Sequence, residues 1–376
     1  MTTPGPTTWW THAQIHTGQA VLEDHGVATR DGIVQCVAPA DQAPEGVDAT
    51  IDLDGAILAP GFVDLQVNGG GGATFTETPD ENCLRTIADA HREAGTTAFL
   101  ATCISASRAT TLACIETVAS TKVVDCAGLH LEGPALDLAR SGAHDPDALR
   151  ALDADEIAAL AAVAPRAIRV TLSVERATRA MVDALIAAGA VISFGHSEAT
   201  AAEAHAGFDL GVTGVTHLFN AMSGMSAREP GLAGAALARD DVHCGIIADG
   251  VHVDATTIGV AYRAKPKGKL HLVSDAIALA GSGLTKTRLG GRRVRKIDGR
   301  CVNEDGTLAG SHARLIDGVR FCVDEVGIPL EEALRMASGY PALHNRLPLH
   351  GRIERGSRAD MVVLTRALDV ARVITG

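Results

Sequence analysis

Four single residues, Glu132, His196, His217 and Asp275, each stand just beyond or at the end of a short apolar run, and together they carry the donor types of a hydrolytic metal centre. Two imidazoles and one carboxylate leave an open position on a zinc-type ion, and the spare aspartate is available to move protons. The runs that deliver them are residues 127–131, 191–195, 212–216 and 271–274. In a (β/α)8 barrel the C-terminal strand ends meet at one mouth, so side chains far apart in sequence share one ion and one substrate there. Any one of these residues reads equally well as a packed, capping or solvated side chain. Four of them at four strand ends point to a site. Period-two geometry also places His130 on the same strand face as Glu132.

The elements that must position them follow a strand, loop, helix rhythm from Ala56 onward. Residues 57–66, 97–104, 127–131, 168–174, 190–195, 212–216, 242–248 and 269–274 read as strands. Between them, 81–94, 146–163, 176–188 and 198–206 read as helices, and 330–340 as a last one. Such alternation predicts parallel βαβ units, and its regularity predicts an α/β fold with a (β/α)8 TIM-like barrel over 58–349. Residues 9–58 and the tail 351–364 are β-like, so 1–57 and 350–376 are expected to build a small β-sandwich domain. A Gly- and Arg-rich stretch, 285–308, reads as a hairpin-like excursion near the barrel mouth.

Composition narrows the partners. The 376 residues carry 33 Lys and Arg against 45 Asp and Glu, a net charge of -12, and no basic cluster is interleaved with aromatics, which argues against nucleic acid. The eight cysteines form no C-x-x-C, so reduced thiols acting as small hydrophobes are expected. The start, Met1 to Gln14, lacks a basic segment followed by an apolar one, and no uncharged apolar run reaches about 18 residues. The expectation is a soluble cytoplasmic protein with no membrane partner.

Longer motifs carry a resemblance. Pro60-Gly-Phe-Val-Asp64, His130-Leu-Glu-Gly-Pro134, Gly195-His196, Thr216-His-Leu-Phe-Asn-Ala221, Arg228-Glu-Pro-Gly231, the Gly245 to His252 segment, Ser274-Asp-Ala276 and Thr307-Leu-Ala-Gly-Ser311 occur in order, and Ala359 to Leu364 fits a closing β segment. In these the chain resembles the N-acetylglucosamine-6-phosphate deacetylase family of the amidohydrolase superfamily. Pro-Gly-Phe-Val-Asp marks only the superfamily; His-Leu-Glu-Gly-Pro with Thr-His-Leu-Phe-Asn-Ala is specific for the family.

The resemblance implies one divalent metal per subunit on Glu132, His196 and His217, with water at the open position. Zinc is the first expectation, and iron(II), manganese or cobalt suit the same donors. It implies Asp275 as general base and then acid, and His144 as the group that polarises the acetyl carbonyl. Substrate contacts would come from Ala143, His144, Asn220, Ala221, Arg228, Asp249, Gly250, Val251, His252, Leu308, Ala309 and Gly310, with Arg228 and His252 as the cations for a phosphate. The implied reaction releases acetate from N-acetylglucosamine 6-phosphate in amino-sugar catabolism. The implied assembly is a homodimer whose phosphate site lies near the subunit interface.

One departure separates branches of the superfamily. Where many members hold a second metal through His-x-His and a carbamylated lysine, this chain has Gln66 and Asn68, and no lysine occurs between Lys122 and Lys265. One catalytic metal is therefore expected. The competing readings are a deacetylase of N-acetylgalactosamine 6-phosphate, a cyclic-amide hydrolase, which would want the missing residues, and a non-catalytic scaffold, which would not need all four key residues.

Overall fold

The computed structural model describes residues 5–376, so the first four residues of the expected small domain lie outside the described residues. Eight parallel strands follow one another round a barrel: Phe62–Val67, Thr96–Ile104, Cys126–Glu132, Ala167–Leu172, Val191–Phe194, Gly214–Val215, His243–Ile246 and Leu270–Leu272. The ring closes where Val67 bridges Ala276 and the Asn68 and Gly69 N–H groups donate to the Ala276 carbonyl at 2.8 and 3.0 Å. The expected α/β barrel is the fold observed.

Helices start where short polar side chains satisfy the free N–H groups of the first turn. Asp80 accepts from Cys83 N ahead of Glu81–Arg92, and Thr200 forms a capping box with Glu203 ahead of Ala201–Phe208. The expected helix over 146–163 is instead broken into a 3₁₀ turn, Pro146–Ala148, the helix Ala154–Leu160 and a second 3₁₀ turn, Ala161–Val163. Asp153 is the reason: its capping box with Glu156 begins a new helix, with extended backbone before it.

The expected join after residue 57 also moves. Ile57–Pro60, read as the start of the first barrel strand, pairs with Met361–Leu364 and with Gln14 and Ile15 in the small domain. Periodicity could not show this, because Ile57–Pro60 and Phe62–Val67 are both buried throughout. Gly61 stands between them because the chain passes close to a neighbour there; a Cβ would lie 2.1 Å from Thr97 Oγ1. The small domain is one continuous seven-stranded sheet closed over its own core of Trp10, Ile15, Val27, Leu58, Met361 and Val363. All eight cysteines are free, and seven are buried.

Residues 286–303 form a three-stranded antiparallel flap, Lys286–Leu289, Arg292–Ile297 and Arg300–Asn303. It packs Leu289, Val294 and Cys301 onto Ile104, Ile277, Leu279 and Ala309.

Several histidines are wholly or largely buried in the barrel or against it. His130 lies between Thr102 and Thr171, with Nδ1 and Nε2 at 3.2 and 2.8 Å from their hydroxyls. Burial pushes His130 down to about 3 and His91 and His243 down to about 4, and it holds His271 and His344 well below the usual range. Unfolded histidines take up protons below about pH 6.5, and these folded ones do not, so acid favours the unfolded chain. The melting temperature is expected to fall as pH drops from about 6.5 toward about 4, and a flat profile across that window would contradict the neutral assignment.

Candidate active site

Each key side chain is carried to the mouth by a strand end whose backbone turns sharply. His196, His217 and Asp275 have φ of 49°, 34° and 50°, in the left-handed region that L-residues other than glycine seldom occupy. Strain of this kind costs on the order of 1–3 kcal/mol per residue and persists where surrounding structure enforces it. Glu132 is followed by Gly133 at φ 83°, and a Cβ on Gly133 would lie 2.3 Å from Ser105 Oγ, so only glycine fits this turn.

The three expected ligands converge. Glu132 Oε1 lies 3.0 Å from His217 Nε2 and 3.3 Å from His196 Nε2, and the two Nε2 atoms are 3.1 Å apart. His196 Nδ1 donates to the Arg140 carbonyl at 2.8 Å, so its Nε2 turns a lone pair inward. Two ring nitrogens and a carboxylate oxygen, all buried and within 4.8 Å of one another, fit a divalent cation by their donor chemistry. Burial opposes the Glu132 charge, but the adjoining His196 and His217 rings hold its carboxyl well below the usual range. Burial likewise opposes charge on His217, and Glu132 outweighs it.

Asp275 faces the same space. Its Oδ1 accepts from Asn68 Nδ2 at 2.7 Å and Gln66 Nε2 at 3.1 Å, and Gln66 Nε2 also donates to Glu132 Oε1 at 3.0 Å. One amide group thus sits between two carboxylates. Burial and then the Glu132 charge push the Asp275 carboxyl up to about 6.

His144 arrives on the loop after Gly133, with Nε2 4.0 Å from Glu132 Oε2. Its Nδ1 accepts the Ser105 backbone N–H at 3.2 Å, which requires the ring proton to sit on Nε2, facing the cavity. Burial, then His196, pushes His144 down to about 3, so the ring is neutral. His252 is oriented by Asp249, whose Oδ2 is 2.7 Å from Nδ1 while its Oδ1 accepts the N–H groups of Val251 and His252 at 2.9 and 2.8 Å.

A cavity of about 410 Å3 joins these groups; Glu132, Ala143, His144, His196, His217, Asn220, Ala221, His252, Asp275, Leu308 and Gly310 all line it. Asp249, Gly250 and Val251 stand behind His252 without lining the cavity, and Ala309 is packed into the core beneath the flap. Arg228 is exposed and lines no part of it, and Glu229 caps the Ala201 and Gly231 N–H groups instead of pairing with it. Residues given no site role from sequence also line the space, among them Arg140, Phe219, Leu289 and Thr307. Ser105 had one available signal: it directly follows the apolar strand Thr96–Ile104.

A parallel barrel with inward-facing Glu, His and His at its strand ends defines the amidohydrolase class. The amidohydrolase family model matches residues 57–376, and a NagA composite domain matches 10–58. An N-acetylgalactosamine-6-phosphate deacetylase of Shewanella sp. (strain ANA-3) is 35% identical over 94% of this chain and 90% of its own length. An N-acetylglucosamine-6-phosphate deacetylase of Haemophilus influenzae is 34% identical over 93% of each chain. Among solved structures, the N-acetylglucosamine-6-phosphate deacetylase of Pasteurella multocida superposes with a TM-score of 0.93 at 32% identity, covering 98% of both chains. A variant of the Mycobacterium smegmatis enzyme in complex with N-acetyl-D-glucosamine-6-phosphate gives 0.91 at 32% identity, covering 99% of this chain and 98% of that one. The chain belongs to the amidohydrolase family and, within it, to the N-acetylglucosamine-6-phosphate deacetylases; it is a hydrolase.

Proposed function

We propose that this protein hydrolyses the acetamide of N-acetylglucosamine 6-phosphate to glucosamine 6-phosphate and acetate. The observation that carries the reading is the convergence of Glu132, His196, His217 and Asp275 on one cavity. Glu132, His196 and His217 would hold a divalent cation, with zinc the first candidate, which when bound would supply Lewis acidity and make hydroxide accessible near neutral pH.

The chain's own groups do the rest. Asp275 has Oδ1 occupied by two amide donors, which leaves Oδ2 to take the proton of the attacking water and return it to the leaving nitrogen. His144 directs Nε2–H toward the cavity, where it donates to the acetyl oxygen as negative charge develops. Asn220, Ala221 and His252 face the sugar phosphate, and Leu308 and Gly310 flank the sugar. Gln66 and Asn68 offer amide N–H groups where other branches place ligands, so one ion per chain is the expected complement.

Arg228 serves the phosphate from a neighbouring subunit in this reading, consistent with its exposure outside its own cavity. A homodimer in the cytoplasm is the working form. Among the described residues no helix is long and apolar enough to cross a membrane, and eight free thiols suit a reducing compartment.

The second reading is a preference for N-acetylgalactosamine 6-phosphate, favoured by the Shewanella relative. Steady-state assay on both phosphorylated sugars and on unphosphorylated N-acetylglucosamine separates them. The phosphate is expected to raise kcat/KM by about 10²-fold, the scale of a lost charge-assisted contact. No gain from phosphate would remove the roles given to Arg228 and His252.

A further inference from the structure

Seven of the chain's 33 Lys and Arg lie between residues 286 and 300, in company with a single acid, Asp298, on a protein whose net charge is -12. These residues form the flap. Its inner face, Leu289, Val294 and Cys301, is at most 3% exposed and packs beside the active-site cavity, which Leu289 lines. Arg292 Nη1 approaches the Gly142 carbonyl at 3.5 Å, tying the flap to the loop that carries His144.

By strand alternation the outer face presents Lys286, Arg288, Arg293, Arg295 and Arg300, all exposed. Lys286 stands directly opposite Arg295, and Arg288 opposite Arg293. Like charges in that register destabilise a sheet. Relief is partial: Arg293 pairs with Glu304 at 2.7 Å, while Lys286, Arg288, Arg295 and Arg300 meet no carboxylate among the described residues. Charges on a sheet edge do discourage aggregation, but mixed or acidic residues would serve that purpose without mutual repulsion. A one-sign face held against its own repulsion calls for an anion.

We infer that the outer face of the 286–303 flap is an electrostatic collector for the dianionic phosphate monoester substrate, raising its concentration at the cavity mouth against the repulsion of an acidic protein. The inference rests on the proposed deacetylation of an amino-sugar phosphate. Fields from one-sign patches act on KM and association, and they fade with salt because the screening length shrinks to about 3 Å at 1 M.

The test compares wild type with Lys286→Gln/Arg295→Gln/Arg300→Gln across ionic strength, using N-acetylglucosamine 6-phosphate and unphosphorylated N-acetylglucosamine. At low salt the triple variant is expected to raise KM for the phosphorylated sugar about tenfold, leave kcat unchanged and leave the unphosphorylated sugar unaffected. The difference should vanish at high salt. Lys122→Gln, at the opposite end of the barrel from the mouth, controls for the loss of a remote cation and should not move KM. Equal salt slopes in wild type and triple variant overturn the collector, as does an equal loss on both sugars. If wild type turns over neither phosphorylated sugar, the proposed reaction fails instead.

Discussion

Asp275→Asn is expected to keep its metal and lose about 10³-fold in kcat. The amide has the size of the carboxylate, and its oxygen can still accept from Asn68 and Gln66, so the local hydrogen bonds survive. What changes is the atom at the Oδ2 position, which becomes an NH2 group and cannot take a proton. Glu132, His196 and His217 are untouched, so elemental analysis should find the same ion content as in wild type. The same assignment gives the pH profile a direction. Asp275 must be ionised to act, burial beside Glu132 pushes it up to about 6, and a nearby cation works in the opposite sense. The rate should therefore fall with acid, with its limb at or below about pH 6. Near-normal turnover in the variant would move the base to another residue.

Glu132→Gln is expected to fail in the complementary way, by losing the ion. Glu132 is the one anionic member of the triad, and both imidazoles lean on it at 3.0 and 3.3 Å. An amide of equal size keeps the packing but offers no charge to offset a divalent cation in a buried site. Metal content should drop well below one ion per chain and kcat/KM should fall about 10³-fold, with partial recovery on adding excess metal. Wild type measured alongside should hold one ion per chain. Two tightly held ions would show that the Gln66 and Asn68 amides do not take the place of a second centre.

The contrast between the two variants also separates catalysis from scaffold. A chain that binds metal stoichiometrically in both the wild-type and Asp275→Asn forms, with no turnover of any N-acetyl sugar phosphate in either, would be a non-catalytic amidohydrolase-like protein.

By itself the sequence pointed to the barrel and singled out the three residues, Glu132, His196 and His217, whose donor atoms converge. Repeated apolar runs ended by single polar residues force parallel strands to bury both faces and to deliver those residues at one end. Loop motifs around Glu132 and His217 pointed to the family because they fix a whole constellation rather than one residue. Where two buried strands adjoin, as at Ile57–Pro60 and Phe62–Val67, the pattern carried no boundary, since both faces of each are apolar. Tertiary structure alone decided the protonation geometry: the Ser105 N–H that sets the His144 tautomer and the Gln66 amide between Glu132 and Asp275 connect residues 39, 66 and 209 positions apart. It also decided that Arg228 lies outside its own chain's cavity and that five of the flap's seven cations share one face. Hydrogen-bond direction and surface charge depend on which backbones close round one another, and local sequence patterns do not encode that closure.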